Sequence, residues 1–205
     1  MNELNQFLTQ QNLFIVATVA AIVLLAYLLL RLIRYLIHTS DDRKTAKVIK
    51  GVGSDYLRNI AIPDEIDGYV FVDYLILLPS GILVVDVQNY KGFLFGGEKM
   101  DQWTQMIGHK SYKFDNPLYG NLARVHVIRT HLNKVPVEGR VVFSNVGQFP
   151  KGIPQGVSML NSLRQDVTDI LANSPVPEHI QAAWNQLKSM AKEARFNLNQ
   201  QRIRV

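Results

Sequence analysis

Two runs of apolar residues around a short turn dominate the middle of the chain. Residues 70–92 read VFVDYLILLPSGILVVDVQNYKG, so Pro79, Ser80 and Gly81 separate two segments rich in Val, Ile and Leu. Such a pattern predicts a β-hairpin. Because nearly every position in both segments is apolar, we expect strands that are covered on both faces, as in a mixed α/β core.

Each predicted strand carries an acidic residue, Asp73 in the first and Asp86 in the second. An ionised carboxylate in an apolar strand is costly unless it meets a cation, a metal ion or hydrogen-bond donors. If Pro79-Ser80 is a two-residue loop, Asp73 lies opposite Asp86, and two carboxylates about 5 Å apart repel unless a divalent cation lies between them. The fixed φ of Pro79 favours instead a type I turn with a Gly81 bulge, which shifts the register by one and requires a second irregularity near Asp73.

The residues around this hairpin resemble the NERD (nuclease-related) domain of the PD-(D/E)xK, restriction-endonuclease-like superfamily. The resemblance covers residues 51–145 and rests on Asp73, Asp86-Val87-Gln88-Asn89-Tyr90-Lys91-Gly92, Trp103 and Asn116-Pro117-Leu118. It implies an α/β fold in which a restriction-endonuclease-like mixed sheet is flanked by helices. It also implies a hydrolase that cleaves phosphodiester bonds of nucleic acid with Mg²⁺ held by Asp73 and Asp86.

Two departures from the family pattern bear on activity. The family's Glu is Asp86 here, which keeps the negative charge, whereas the family's Lys is Gln88, a neutral amide that cannot stabilise an anionic transition state by charge. Lys91 is a candidate substitute cation, although a regular pleat points it to the other face of the strand. The predicted catalytic residues are therefore Asp73, Asp86, Gln88 and Lys91, with Asp73 and Asp86 as metal ligands.

The N-terminal part of the chain has the pattern of a membrane anchor. Leu13 to Leu30 is a run of eighteen residues without a charge, and apolar residues continue to Ile37. About 25 residues at about 1.5 Å each span a hydrocarbon core of about 30 Å. Because Lys and Arg crowd the following segment, the positive-inside rule predicts an outside N-terminus and a cytoplasmic remainder. We therefore expect a single-pass protein of the inner (plasma) membrane, with residues 1–12 outside, 13–37 in the lipid bilayer and 38–50 as a basic juxtamembrane segment.

The other elements follow from periodicity, caps and breakers. Residues 39–60 predict a helix of uncertain extent, followed by a first strand that is abbreviated or fused with the Asp73 strand. Asn116-Pro117 is a typical helix start, and an apolar stripe that should dock on the sheet follows it. Its members are Leu118, Leu122, Val125, Ile128 and Leu132. Further predicted strands are 93–95, 101–107 and 140–144; residues 146–205 are expected to form a helical extension with helices at 158–171 and 178–198.

Composition removes several classes of site. The chain has no cysteine, which excludes disulfides and thiolate metal sites. Its five histidines show neither HxH nor HExxH spacing, and no glycine-rich phosphate loop is present. The net charge of +5 suits nucleic acid or an anionic membrane surface without separating the two.

Three functions remain open from the sequence. The first is a membrane-anchored nuclease that uses Mg²⁺ and acts on DNA or RNA, with activity weakened or lost because of Gln88. The second is a catalytically inactive nucleic-acid-binding or regulatory module held at the membrane. The third is an interaction scaffold that uses the C-terminal helices, with the two carboxylates paired only structurally.

Overall fold

The structure is a computed structural model that describes residues 18–33, 43–64, 66, 68–132, 134–167 and 175–203, of which 195–203 by their backbone. The chain divides between Ala46 and Lys47 into two units. In the first unit, residues 18–33 form a helix, α1. Within the described ranges, no helix combines the length and the apolar character needed to cross a membrane. The predicted anchor at 13–37 extends beyond the described residues at both of its ends, and the first four residues of the predicted helix at 39–60 lie outside them.

A five-stranded mixed sheet forms the centre of the second unit. In spatial order its strands are β1 (Asp55–Pro63), β2 (Tyr69–Leu78), β3 (Gly81–Gln88), β7 (Val137–Phe143) and β9 (Val157–Met159). The pairs β1–β2 and β2–β3 are antiparallel, whereas β7 runs parallel to β3 and β9 parallel to β7. The predicted mixed α/β class is therefore confirmed.

A smaller four-stranded sheet packs against this one. Its order is β6 (Lys110–Asp115), β5 (Gln102–Ile107), β4 (Gly92–Phe95) and β8 (Gly147–Gln148). Fully buried Trp103 on β5 stacks on Phe143 of β7, with ring centroids 6.0 Å apart. Leu94, Val141 and Val157 complete this apolar cluster, which joins the two sheets.

The hairpin β2–β3 is covered on both faces, as its sequence predicts. The helices that follow α1 are α2 (43–50), whose residues from Lys47 onward belong to the second unit, α3 (Pro117–His131), α4 (Leu163–Asp166) and α5 (Glu178–Ile203). Leu75 and Val84 belong to one buried cluster together with apolar residues of α3 and α5. Ile76 and Val85 belong to a second cluster with residues of α2 and α4. Because alternate side chains of a strand point to opposite faces, this double cover requires apolar residues at consecutive positions.

The hairpin turn is a two-residue loop, so the expectation of a Gly81 bulge is wrong. Leu78 pairs with Gly81 and the register continues without a slip to Tyr74 opposite Val85. Gly81 has a φ of +151°, and a side chain at this position would collide with the backbone carbonyl of Pro136. A glycine can take this conformation at no steric cost, which lets the turn close although Pro79 is confined to negative φ.

Three other expectations are corrected. The first strand is neither abbreviated nor fused with β2, because β1 is a separate strand of nine residues. Ser158 lies in β9 rather than in a helix, and the described part of the predicted helix 158–171 contains only the short α4. On α3, Val125, Ile128 and Leu132 are buried as predicted, whereas Leu122 is 63% exposed. The helix 178–198 is confirmed, and its residues Ile180, Trp184 and Leu187 close the core against the first sheet.

Asp55 ties α5 to β1. Trp184 Nε1 donates to Asp55 Oδ2 at 2.8 Å, and Lys188 Nζ lies 3.5 Å from the same oxygen. Partial burial raises the pKa of Asp55, but the bonds from Trp184 and the Tyr56 N–H, together with the charge of Lys188, outweigh it. The net result is a pKa below the ordinary value.

We expect Asp55→Asn to lower the unfolding midpoint by about 2 °C at pH 7, a small effect because the ion pair is half exposed. Since the folded-state pKa is depressed, this stabilisation is present above the unfolded pKa, about 3.9, and is lost as the pH falls through the folded-state pKa. When thermal unfolding is measured between pH 7 and pH 3, the midpoints of the wild type and Asp55→Asn should therefore converge as the pH falls.

Trp184→Phe removes the same hydrogen bond from the other side, because it keeps an aromatic ring in the core but has no N–H donor. It should destabilise the wild type and have a smaller effect in the Asp55→Asn background. Fully additive losses would show that the bond contributes nothing.

Candidate active site

The two acidic residues of the hairpin lie where the β2–β3 ladder ends. The last regular pair is Tyr74 with Val85, and the next position along the same register would place Asp73 opposite Asp86. The β1–β2 ladder is interrupted at the same level, because Arg58 pairs with Tyr74 and Ile60 with Val72, whereas Asn59 and Asp73 between them are skipped.

A local reversal of side-chain direction accompanies this interruption. Asn59 has a φ of +49°, in the left-handed region that asparagine tolerates better than most residues. Val72 and Leu75, three positions apart on β2, contribute to the same buried cluster. In a regular strand, side chains an odd number of positions apart point to opposite faces, so the alternation is broken between these two residues. An irregularity near Asp73 is therefore present, although the turn introduces no slip that would require one.

Asp73 is fixed by the backbone of the neighbouring strand. Its Oδ2 accepts a hydrogen bond of 2.8 Å from the Val87 N–H. The carboxylate thus takes the place of a ladder carbonyl where the two strands no longer pair. A hydrogen bond from a backbone N–H to a carboxylate is strong and directional, so the position of Asp73 is well defined.

Asp86 is 4% exposed and lies against α3. Arg124 Nη1 donates to its Oδ2 at 3.1 Å, and its Oδ1 is buried without a hydrogen-bond partner among the described residues. Burial raises the pKa of Asp86 above the ordinary value; the Arg124 charge and the nearby Asn121 amide oppose this, and the Asp73 charge adds to it. A buried carboxylate oxygen without a donor is costly, which makes Asp86 a candidate ligand for a cation.

Both carboxylates line one cleft with a volume of about 700 Å³. Two cationic side chains, Lys113 of β6 and Arg124 of α3, line the same cleft. Its wall also includes Gln88 at the end of β3 and the aromatic residues Tyr90 and Tyr119. The cleft therefore combines paired acids with positive charge, an arrangement suited to a phosphate group and a cation together.

The predicted site residues divide between the cleft and its surroundings. Asp73, Asp86 and Gln88 lie together in the cleft, whereas Lys91 is exposed and is not one of its lining residues. The Lys91 backbone carbonyl accepts from Gln105 Nε2 at 2.8 Å, which ties this segment to β5.

Sequence reasoning did not select Arg124. No spacing in the chain connects this residue with Asp86, 38 positions away. Of the basic and aromatic residues Lys110, Tyr112 and Lys113 of β6, Lys113 alone lines the cleft.

Metal ligands are few in this site. Over the described part of the chain, no group of three or more His, Asp or Glu side chains is clustered as a metal site. The oxygen donors that line the cleft include the carboxylates of Asp73, Asp86 and Asp115 and the amide oxygen of Gln88. Mg²⁺ is commonly held by one or two carboxylates and several waters, so a site with two acids matches its chemistry.

The fold and the cleft define an α/β domain with a paired-acid site, and comparison with known proteins gives its family. The nuclease-related domain (NERD) family matches residues 39–144, just over half of the 205-residue chain. The chain belongs to the NERD family, which confirms the resemblance carried by the hairpin residues. The match is consistent with the PD-(D/E)xK-like superfamily.

The chain is also 32% identical over 72 residues to an uncharacterized protein of Bacillus anthracis. This match covers 35% of the chain and 34% of that protein, so the chain spans about a third of the length of its relative. No solved structure matches the chain.

Proposed function

We propose that this NERD-domain protein hydrolyses phosphodiester bonds of nucleic acid in a Mg²⁺-dependent reaction at a membrane surface. The observation that carries the proposal is the cleft in which Asp73 and Asp86 lie with Lys113 and Arg124. Two acids can hold a divalent cation, and two cations can hold the phosphate whose bond is cleaved. DNA and RNA both carry that phosphate, and the proposal covers either.

The side chains have distinct roles in this reaction. Asp73 and Asp86 would hold the ion, whose contribution is to polarise the phosphate and to lower the pKa of a bound water. Lys113 and Arg124 bind the phosphate oxygens and offset their negative charge. Gln88, as an amide, can orient a water molecule by hydrogen bonding but adds no charge. The paired acids and their cations therefore account for most of the proposed rate acceleration.

A second candidate, a binding module without cleavage, is favoured by one specific observation. Arg124 Nη1 lies 3.1 Å from a carboxylate oxygen of Asp86, so this acid is already paired with a cation. Position 88, where the family has a charged lysine, holds the neutral amide of Gln88. A domain that keeps Lys113 and Arg124 for phosphate binding but does not recruit the metal would retain nucleic acid without cutting it.

Attachment to the plasma membrane through residues 13–37 completes the proposal, with the NERD domain on the cytoplasmic side. Its support is the charge-free sequence from Leu13 to Leu30 and the exposure of apolar side chains along α1. Leu25, for example, is 68% exposed and Ile22 is 66% exposed. A long apolar surface of this kind on a helix is typical of contact with lipid or with another protein.

Cleavage by the full-length protein should require Mg²⁺ and both acids. We expect Asp73→Ala and Asp86→Ala each to reduce the rate by about a hundredfold or more, because charge stabilisation by the metal is worth several kcal/mol. Labelled single- and double-stranded DNA and RNA, incubated with Mg²⁺ or with EDTA, provide the measurement. Glu138→Gln, an exposed carboxylate on β7, is the control and should keep full activity. Equal rates in the wild type and both alanine variants would remove the hydrolase proposal.

Gln88→Lys separates a weakened nuclease from a binding module. In the first case the new charge should raise the cleavage rate about tenfold or more, since one well-placed donor to a developing anion has an effect of that size or larger. Gln88→Met, similar in length and without charge, is the matched control. If the wild type and Gln88→Lys both bind the oligonucleotide and neither cuts it, the binding module is the better description.

Membrane attachment is tested by recovery of the full-length protein with vesicles after an alkaline wash. We expect Leu25→Arg to release a large fraction, because a charge at the centre of a spanning helix costs about 2.5 to 3.5 kcal/mol. Leu122→Arg introduces the same charge at an exposed leucine of α3 and should leave recovery unchanged. Recovery of the wild type in the supernatant would contradict the anchor.

A further inference from the structure

Arg124 reaches the acidic site from the helix that covers the sheet. Its Nε donates to the Phe71 backbone carbonyl at 2.6 Å, and its Nη1 donates to Asp86 Oδ2 at 3.1 Å. The first bond joins the stem of the guanidinium to β2, and the second joins one arm of the fork to β3. Arg124 therefore bridges the two strands at the level where their own ladder has ended.

The position of Arg124 depends on a glycine one helical turn earlier. A Cβ at Gly120 would lie 3.0 Å from Arg124 Nη1, tighter than an ordinary van der Waals contact. Residues four apart on a helix are neighbours on its surface, so a side chain at position 120 would crowd the guanidinium. Gly120 leaves the space through which Arg124 reaches Asp86.

The guanidinium keeps donors that the protein does not use. Among the described residues, Arg124 Nη2 has no hydrogen-bond partner, and the side chain is 34% exposed and lines the cleft. An arginine has five N–H donors in a planar fork that matches phosphate oxygens. Arg124 can therefore offer Nη2 to a ligand in the cleft, and the rigid guanidinium can shift as a whole from Asp86 toward it.

A divalent cation and Arg124 compete for the same carboxylate. Asp86 Oδ2 is the acceptor of the Arg124 bond, and any cation held by Asp86 would lie close to that guanidinium. Like charges at such a distance repel, so Arg124 weakens the hold of Asp73 and Asp86 on a cation, and added negative charge in the cleft relieves that repulsion. A phosphate of the substrate supplies that charge in the cleft.

We propose that Arg124 is an exchangeable counter-ion, which pairs with Asp86 while no divalent cation is held and transfers to a phosphate of the substrate when one is. This inference rests on the proposed metal-dependent function and adds its regulation: the internal ion pair opposes metal binding until nucleic acid is present. It also assigns to an arginine of α3 the positive charge that Gln88 does not supply.

Arg129 shows what a structural arginine of the same helix looks like. Its Nε and Nη2 both donate to the Val137 backbone carbonyl, at 3.1 and 2.5 Å, and it contacts no carboxylate of the site. Arg129→Gln is therefore a matched control for Arg124→Gln, because both remove a partly exposed charge and a bond to a strand carbonyl.

The first measurement is binding of Mn²⁺, a spectroscopic substitute for Mg²⁺, to the full-length protein in the absence of nucleic acid. We expect Arg124→Gln to bind Mn²⁺ about tenfold more tightly than the wild type, since one charge-assisted hydrogen bond no longer competes for Asp86. Gly120→Ala, which keeps the guanidinium but crowds Nη1, should shift the affinity in the same direction by less. Arg129→Gln should match the wild type, and thermal unfolding of each variant verifies that it is folded.

The second measurement is the salt dependence of oligonucleotide binding, with Ca²⁺ in place of Mg²⁺ because it takes similar oxygen ligands. With Ca²⁺ present, Arg124→Gln should bind more weakly and its slope of log affinity against log salt should be smaller by about one, the signature of one lost phosphate contact. With EDTA the two slopes should agree, since Arg124 is then paired with Asp86.

Opposite changes in the two affinities support the exchange, because a purely structural arginine would not tighten metal binding while weakening nucleic acid binding. If the wild type and Arg124→Gln bind Mn²⁺ equally, the exchange is overturned while the metal-dependent function stands. If neither protein, nor Arg129→Gln, binds Mn²⁺ at millimolar concentration, both the exchange and the metal-dependent function are overturned. A slope difference that persists in EDTA would also overturn the exchange, since Arg124 would then contact phosphate without release from Asp86.

Discussion

The interrupted pairing between β2 and β3 is the constraint on which the rest of the site depends. Two adjacent strands that stay in register pair their backbone N–H and C=O groups, whereas here the ladder stops after Tyr74 and Val85. The Val87 N–H that a further rung would have used is satisfied by Asp73 Oδ2 instead. The acidic side chain thus meets a backbone requirement within the candidate site, because an unpaired backbone N–H away from water needs an acceptor and Asp73 provides it.

The second sheet turns this gap into a cleft. Trp103 and Phe143 stack between the two sheets, and Tyr90 stacks on Phe114 with centroids 4.2 Å apart. Asn116 caps α3 by accepting from the Leu118 N–H, and its amide nitrogen donates to the Met100 carbonyl at 2.8 Å. The start of α3 is therefore fixed to the loop that precedes β5, which places Arg124 two turns further along over Asp86. Aromatic packing and one cap together determine where the cations of the site lie.

In the proposed reaction, the positive charge that a lysine at position 88 would supply comes instead from two separate elements. Asp86 is buried and pays a desolvation cost that Arg124 only partly offsets, which leaves its pKa raised. A lysine at position 88 would place its charge on β3, whereas Arg124 brings charge from a helix and Lys113 from the second sheet. Charge carried on separate elements can be rearranged more easily than charge fixed beside the acids, which suits an ion pair that opens when a ligand arrives.

The sequence by itself determined the hairpin and the helix that begins after Asn116, because local periodicity and caps carry that information. It also singled out Asp73 and Asp86, because a carboxylate in an apolar strand is costly, but the two possible turns left open whether these acids converge. Only the tertiary structure decided that Arg124 meets Asp86 across 38 positions and that Lys113 rather than Lys91 lines the cleft. It also decided that Val157–Met159 is a strand, since three residues acquire that conformation through their parallel pairing with β7. Contacts between distant segments depend on how sheets and helices pack, and no local pattern records that packing.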